Sequence, residues 1–321
     1  MQQLLRHAGI VGAATILLLA AGMVHAEQRI AYKSAKAGTS YYQMAVELAK
    51  AIKDGSDGDV ILTIEESQGS VQNVMEAAVR SGHYVFTSPP ALVASAAAGK
   101  GAFEKRPSEA FGQIRALFPI PSLTMHFIVR ADQDATKLAD LAGKTILLGK
   151  GTFGANEGAK YLQMFELEDQ VKIASAELGN AADALKNRRI DGFVTAGSFP
   201  APNVIEAAAG TPVTLLSMTD EQIEQTGRTR QIIPAGTYAG VDEDIATTSL
   251  PVVAFTTAAM DDDTAYMLTQ TFWQQKKELS DNSPWWQAVM PDMLLQTEVQ
   301  LHPGAIRYYE EAGIEIPAAM R

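Results

Sequence analysis

Residues 28–52, QRIAYKSAKAGTSYYQMAVELAKAI, change their hydrophobic period in the middle. Residues 28–33 read as a short strand. Tyr41, Ala45, Leu48, Ala49 and Ile52 then recur every three or four residues, which puts them on one face of a helix. Between the two, Ser34-Ala35-Lys36-Ala37-Gly38-Thr39-Ser40 supplies the small and turn-forming residues of a strand-to-helix joint. The unit repeats down the chain. Residues 60–64 lead through Gln68-Gly69-Ser70 into a helix with the stripe Val71, Val74, Met75, Ala78 and Val79. Residues 84–87 run into Ser88-Pro89-Pro90, and proline suits a helix's first turn. A second series has strands at 145–148, 171–176, 190–196 and 213–218, separated by helical runs. This alternation predicts α/β layers around a mainly parallel sheet.

Residues 123–130 and 246–257 are extended and long enough to pass between lobes, and helical segments close the chain from Asp263. At about 150 residues per domain, a chain of 321 has room for two. The expected organisation is a leader at 1–26 and a first lobe built from 27–123 and 250–321, with a second lobe at 124–249. No repeat of 20–50 residues marks a solenoid.

Composition removes several function classes. Hydrophobic residues make up 47% and charged residues 20%, which argues for a folded globular chain over a disordered one. The formal charge is -11 and no block of basic residues occurs, which argues against nucleic-acid binding. The absence of cysteine excludes disulfides, thiolate metal sites, Cys nucleophiles and lipid attachment through an N-terminal Cys. Arg6, the apolar run 8–24 and Val24-His25-Ala26 read as a secretory signal cleaved after Ala26, with a retained membrane anchor as the other reading. Without Arg6 the chain carries 25 basic and 37 acidic groups, a charge of -12. Export to the periplasm is the expectation.

No catalytic constellation stands out. His83, His126 and His302 lie far apart and outside any HExxH pattern, so no metal is expected. There is no G-x-S-x-G elbow, and acidic pairs such as Glu65-Glu66 read as solvated faces. Gly149-Lys150-Gly151-Thr152-Phe153-Gly154 matches the dinucleotide fingerprint G-x-G-x-x-G, and Glu177 falls where a ribose-binding acid belongs. Export argues against a nicotinamide cofactor, and none is expected.

The physics of that motif still matters. A glycine turn at a helix start exposes unpaired N–H groups and the positive end of the helix dipole. Three such turns occur: Gly38-Thr39-Ser40, Gly69-Ser70-Val71 and Gly154-Ala155-Asn156. They place Ser40, Tyr41, Ser70, Val71, Ala155 and Asn156 as backbone donors to a small anionic organic solute. Tyr42 and Phe199 would wall its apolar part, and Ser88 would add a hydroxyl. Gly197 and Phe199 enter because they follow a strand and emerge at the same sheet edge. Lys33 and Lys150, at strand ends beside these loops, would favour a dianion; Lys36 reads as a surface lysine. Ser40 with Gln43 also forms a capping box, and Ser70 is a natural N-cap, so capping and ligand contact are both open to them.

The motifs Gly38-Thr39-Ser40-Tyr41-Tyr42 and Gln68-Gly69-Ser70-Val71-Gln72-Asn73 are followed by His126-Phe127-Ile128-Val129-Arg130. Leu138-Ala139-Asp140-Leu141-Ala142-Gly143-Lys144 and Ile233-Pro234-Ala235-Gly236-Thr237-Tyr238 come next, then His302-Pro303-Gly304-Ala305 with Tyr308-Tyr309. In this order the chain resembles the TAXI family of TRAP-transporter solute-binding proteins. The resemblance implies a two-lobed periplasmic binding protein fold of class II-like type, with a ligand cleft between lobes and a hinge of extended crossing strands. It further implies a non-enzymatic receptor that hands a small carboxylate, such as glutamate or 2-oxoglutarate, to an integral-membrane TRAP permease; a monomer is expected because no sustained heptad repeat marks a dimerising helix. Lys150-Gly151-Thr152-Phe153-Gly154-Ala155, Thr87-Ser88-Pro89-Pro90 and Tyr32-Lys33-Ser34 depart from the family pattern in loops expected to touch ligand. A sensory receptor of the same fold and an exported α/β enzyme acting on a small anionic ester are the competing readings.

Overall fold

In chain order the first lobe opens with β1 (Gln28–Lys33), α1 (Ser40–Gly55), β2 (Val60–Glu65), α2 (Ser70–Ala77), β3 (Tyr84–Ser88) and α3 (Pro90–Ala97). The long strand β4 (Ile114–Arg130) then runs through into the second lobe. There follow β5 (Thr145–Leu147), α4 (Phe153–Met164), β6 (Lys172–Ala174) and α5 (Ala181–Lys186). Next come β7 (Gly192–Gly197), α6 (Pro202–Gly210), β8 (Val213–Leu215), α7 (Asp220–Thr226) and β9 (Thr229–Ile233). A second long strand, β10 (Ile245–Thr257), returns to the first lobe, where α8 (Asp262–Asn282) and α9 (Pro303–Glu311) complete it. This computed structural model describes residues 27–321 apart from positions 81 and 298. The signal expectation at 1–26 lies outside the described residues.

The strands form one curled sheet in the order β2-β1-β3-β10-β4-β7-β5-β6, with β8 on β4 and β9 on β10. Each lobe holds a parallel trio whose first strand is central: β2-β1-β3 in one and β6-β5-β7 in the other. The expected mainly parallel sheet is in fact mixed, because β4 and β10 run antiparallel to each other and to every neighbour. Central strands are covered on both faces, so their sequences are continuously apolar. Phe127, Val129, Ile146 and Val194 join the core shared with the first lobe, while Ile128, Leu147 and Phe193 join a separate core under α5 and α6. That is the period-two alternation of a strand read on both faces.

The two long strands meet an irregularity where they pass between the lobes. Leu250 pairs with Leu123, but Val252 pairs with Ile120, so Pro121 and Ser122 bulge opposite Pro251. Proline has no N–H for the ladder, so these positions cannot complete it.

Several element boundaries differ from the sequence expectation. β4 begins at Ile114 and not near 123. α2 stops at Ala77, so Val79, expected on its apolar stripe, is 80% exposed. β9 has no counterpart in the sequence pattern, because TRQII is an edge strand with exposed leading residues and lacks clean alternation.

His126, in the second-lobe half of β4, is buried and neutral. Its Nδ1–H donates to Thr124 O at 3.1 Å, and Nε2 accepts from the Tyr238 hydroxyl at 2.8 Å. The Tyr238 oxygen in turn accepts from Ala201 N at 2.8 Å, which leaves its proton for the imidazole. Burial pushes the His126 pKa down to about 4, against about 6.5 in the unfolded chain. The folded state therefore refuses a proton that the unfolded chain takes up, and the stability it holds above pH ~6.5 drains away as pH falls toward ~4. In urea titrations, wild type should lose about 3 kcal/mol more across that window than His126→Gln. A pH-independent difference between the two proteins would contradict a buried neutral imidazole.

Candidate functional site

The three carboxyl-end loops of the first lobe converge on one buried amide. Asn73, on α2, is 0% exposed. Its Nδ2 donates to Ser34 O after β1 and to Thr87 O in β3, both at 2.8 Å, while Oδ1 accepts from Ser67 Oγ at 2.6 Å. Ser67 Oγ also accepts from Gly69 N at 2.8 Å. One side chain thus sets where β1, β2 and β3 deliver their loops. Gly69 then turns into α2 at φ 111°, a conformation that favours glycine, and no side chain caps the helix. The first amide groups of α2 thus have no side-chain acceptor, and Gly69 and Ser70 at its start line a cavity between the lobes.

α1 is capped differently. Thr39 Oγ1 accepts from Tyr42 N at 3.4 Å and donates to Lys36 O at 2.7 Å. Thr39, and not Ser40, is therefore the N-cap; Ser40 is the first helical residue, buried at 3% exposure. Tyr41 turns inward and donates from its hydroxyl to Pro121 O at 2.8 Å, which ties α1 to the bulge between the lobes. In the second lobe, Thr152 Oγ1 caps α4 by accepting from Ala155 N at 3.0 Å.

A small cavity lies between these ends. The first lobe lines it with Ser34, Ala35, Lys36, Thr39, Tyr41, Gln68, Gly69, Ser70 and Thr87. The second lobe contributes Thr152, Phe153, Gly154, Leu178 and Ala196, and the crossing strands add Leu123 and Val252. The lobes touch around it. A β-carbon on Gly197 would lie 2.6 Å from Ser40 Oγ, so the glycine permits the approach of β7 to α1. Lys36 Nζ pairs with the Glu177 carboxylate across the cleft. The hydrogen bond and charge of Lys36 hold the Glu177 pKa below the usual carboxylate range. Phe153 borders this cavity and a wider one, of ≈ 660 Å³, on its other side.

Of the expected site residues, the structure brings Thr39, Tyr41, Gly69, Ser70 and Gly154 into the small cavity. Val71 and Asn156 line the wider one, and Phe199 faces a third beside the bulge, with Pro121 and Trp285. Gly38, Ser40, Tyr42, Ala155 and Gly197 do not line the small cavity: Gly38 is exposed, Ser40 and Gly197 pack against each other, and the Ala155 N–H is already taken by Thr152. Ser88 turns away, donating to Pro89 O at 3.1 Å.

The lysine assignments change most. Lys33 is buried with its ammonium 2.8 and 3.0 Å from the two Glu76 oxygens. Burial alone would raise the Glu76 pKa, but bonds from Lys33 and Gln72 and the charges of Lys33 and Arg80 bring it below its usual value. Lys150 is exposed and lines no part of the small cavity. The lysine at the cavity is Lys36, and its partner Glu177 is the acid that sequence spacing offered to a ribose. One signal for Lys36 lay in its position inside the strand-to-helix turn, the same argument that favoured its neighbours. Leu123, Leu178, Ala196 and Val252 also line the cavity, and an apolar side chain carries no sequence signal that separates such a lining from core.

Two α/β lobes joined by a pair of crossing strands, with a cleft at the carboxyl ends of both parallel trios, constitute the fold of two-lobed periplasmic solute-binding proteins. Residues 33–313 match the NMT1-like family, and the chain belongs to it. Among solved structures of similar fold is MatC from Rhodopseudomonas palustris with bound malate, at 11% identity and TM-score 0.57, covering 89% of this chain and 97% of that one. Holo ArgBP from T. maritima matches at 15% identity and TM-score 0.47, over 79% of this chain and 95% of that one.

Replacing Asn73 with Ala should cost about 2–5 kcal/mol in urea unfolding, because it strands two buried carbonyls. Asn73→Asp should be no better, since a carboxylate cannot donate to either. Wild-type stability in the Asp variant would contradict the two-donor role.

Proposed function

We propose that this protein is the exported solute-binding receptor of a TRAP-type transporter of the TAXI class. It captures a small carboxylate by lobe closure and delivers it to a membrane permease. The observation that carries this reading is the cavity itself: residues of both lobes line it, at the strand ends where open α/β sheets bind ligands. The Lys36–Glu177 pair and the Ser40–Gly197 approach join the two rims, so they belong to a closed state. The hinge is the bulge at Pro121, Ser122 and Pro251. The TAXI assignment is supported by the ordered motifs from Gly38-Thr39-Ser40 to Tyr308-Tyr309. The cavity offers no pair of carboxylates and no nucleophile–base pair in its lining, which supports binding without catalysis. A permease partner accords with a cleft that must reopen to release its contents.

Lys33, paired with Glu76, and the exposed Lys150 do not line the cavity, so a dianion expected to rest on them has no such partners in its lining. The anion instead meets the uncapped start of α2, where fixed N–H groups need no side-chain ordering.

Small-angle scattering of the purified protein, with each of a panel of organic acids at saturation, should show a smaller radius of gyration for the acid that binds. Binding should also raise the unfolding temperature, since about 2.7 kcal/mol of stabilisation accompanies 100-fold saturation. Glu177→Gln should weaken binding modestly, with the loss fading as salt rises, because this pair is partly solvent-exposed. An unchanged scattering profile in the presence of an acid shown to bind would contradict closure.

A further inference from the structure

We infer that the solute of this cleft is a small aliphatic monocarboxylate, held by its one carboxylate on the start of α2 and on Ser70, with no second charged group. This rests on the receptor reading above and names the chemistry of its ligand.

The hydroxyl groups around the cavity supply the first argument. Ser34 donates to Tyr41 O, Thr39 to Lys36 O, Tyr41 to Pro121 O and Thr152 to Gly149 O, and Thr87 is bonded to the Tyr32 hydroxyl. Ser70 is the exception. It is 8% exposed, lines the cavity at the uncapped end of α2, and its hydroxyl has no partner among the described residues. The residue is more than nine-tenths buried but its hydroxyl oxygen is not sealed off, so a ligand in the cavity can supply the partner it lacks. Beside unpaired helix-start N–H groups, the ligand atom that satisfies both is an anionic oxygen.

Charge sets the rest of the molecule. Among the described residues Lys36 is the one charged side chain lining the cavity, and Glu177 already neutralises it. Within the lining itself a second carboxylate would have no free cation and an ammonium no free carboxylate; outside it, the charge of the exposed Lys150 acts on Glu177 at the rim. The remaining wall is Ala35, Leu123, Phe153, Leu178, Ala196 and Val252. Burying an unpaired charge there costs far more than burying a methyl group. The space open to the centres of water-sized groups is ≈ 50 Å³. So small an enclosure suits a short chain.

The test is calorimetry and thermal shift on the exported, purified protein. The probes are propanoate, butanoate, 2-methylpropanoate and pentanoate, compared with butanedioate, 2-oxoglutarate, glutamate and the neutral butanamide. A monocarboxylate should bind at least roughly 10-fold tighter than any dicarboxylate, glutamate or the amide. Ser70→Ala should weaken that binding by roughly 10- to 100-fold while unfolding like wild type in the absence of acid. Tighter binding of a dicarboxylate or glutamate would overturn the inference and leave the receptor reading standing. Unchanged affinity in Ser70→Ala would overturn the assigned anchor. If none of these acids binds, the inference fails; lobe closure on some other solute would then still support a receptor.

Discussion

The Asn73 amide is the constraint on which the first lobe's binding edge depends. Loops at the ends of parallel strands have no ladder of their own, and their backbone groups need partners wherever they are buried. Asn73 supplies them from a single point, donating to the ends of β1 and β3 and accepting from the loop after β2. Because it sits on α2, it also fixes the helix whose uncapped start faces the cleft. Loop position, helix position and the supply of anion-binding N–H groups are thus one geometric problem with one solution. A fully satisfied buried amide of this kind rigidifies its surroundings.

The second lobe meets this edge with little charge of its own. Glycine at 197 allows backbone to approach Ser40, and Thr152 keeps α4's first turn occupied. Among the described residues the lobes are therefore joined by contact and by one rim ion pair, Lys36–Glu177. Such a closure is shallow in energy, because a partly exposed pair contributes little. A shallow closure suits a receptor that must open again. In the proposed closure, flexing falls at the two crossing strands, where Pro121, Ser122 and Pro251 interrupt the pairing.

Much of the fold was legible in the sequence. The change from strand to helix period across residues 28–52 located β1 and α1, and the extended runs around 123–130 and 246–257 pointed to the crossing strands. The glycine turn at Gly69-Ser70 marked a cavity-lining segment, because its local chemistry needs no tertiary information. The lysines were not legible in the same way. Lys33, Lys36 and Lys150 all sit beside strand ends, and only packing decides that one reaches Glu76, one Glu177 and one solvent. The capping residue of α1 was missed by one position, since Thr39 and Ser40 offer the same hydroxyl and the backbone turn selects between them. Leu123, Leu178 and Val252 could not be told from core because they are core residues that also border the cavity.

The central claim is that a closed cleft holds a small anion at the start of α2. It is tested most directly by a crystal structure of the protein grown with the organic acid that binds it most tightly. The account expects the acid between the lobes, with a carboxylate oxygen within hydrogen-bonding reach of Ser70 Oγ and of the first α2 amides, and Gly197 closed against Ser40. An acid bound outside the cleft, or bound inside it with the α2 amides and Ser70 left unoccupied, would contradict the account.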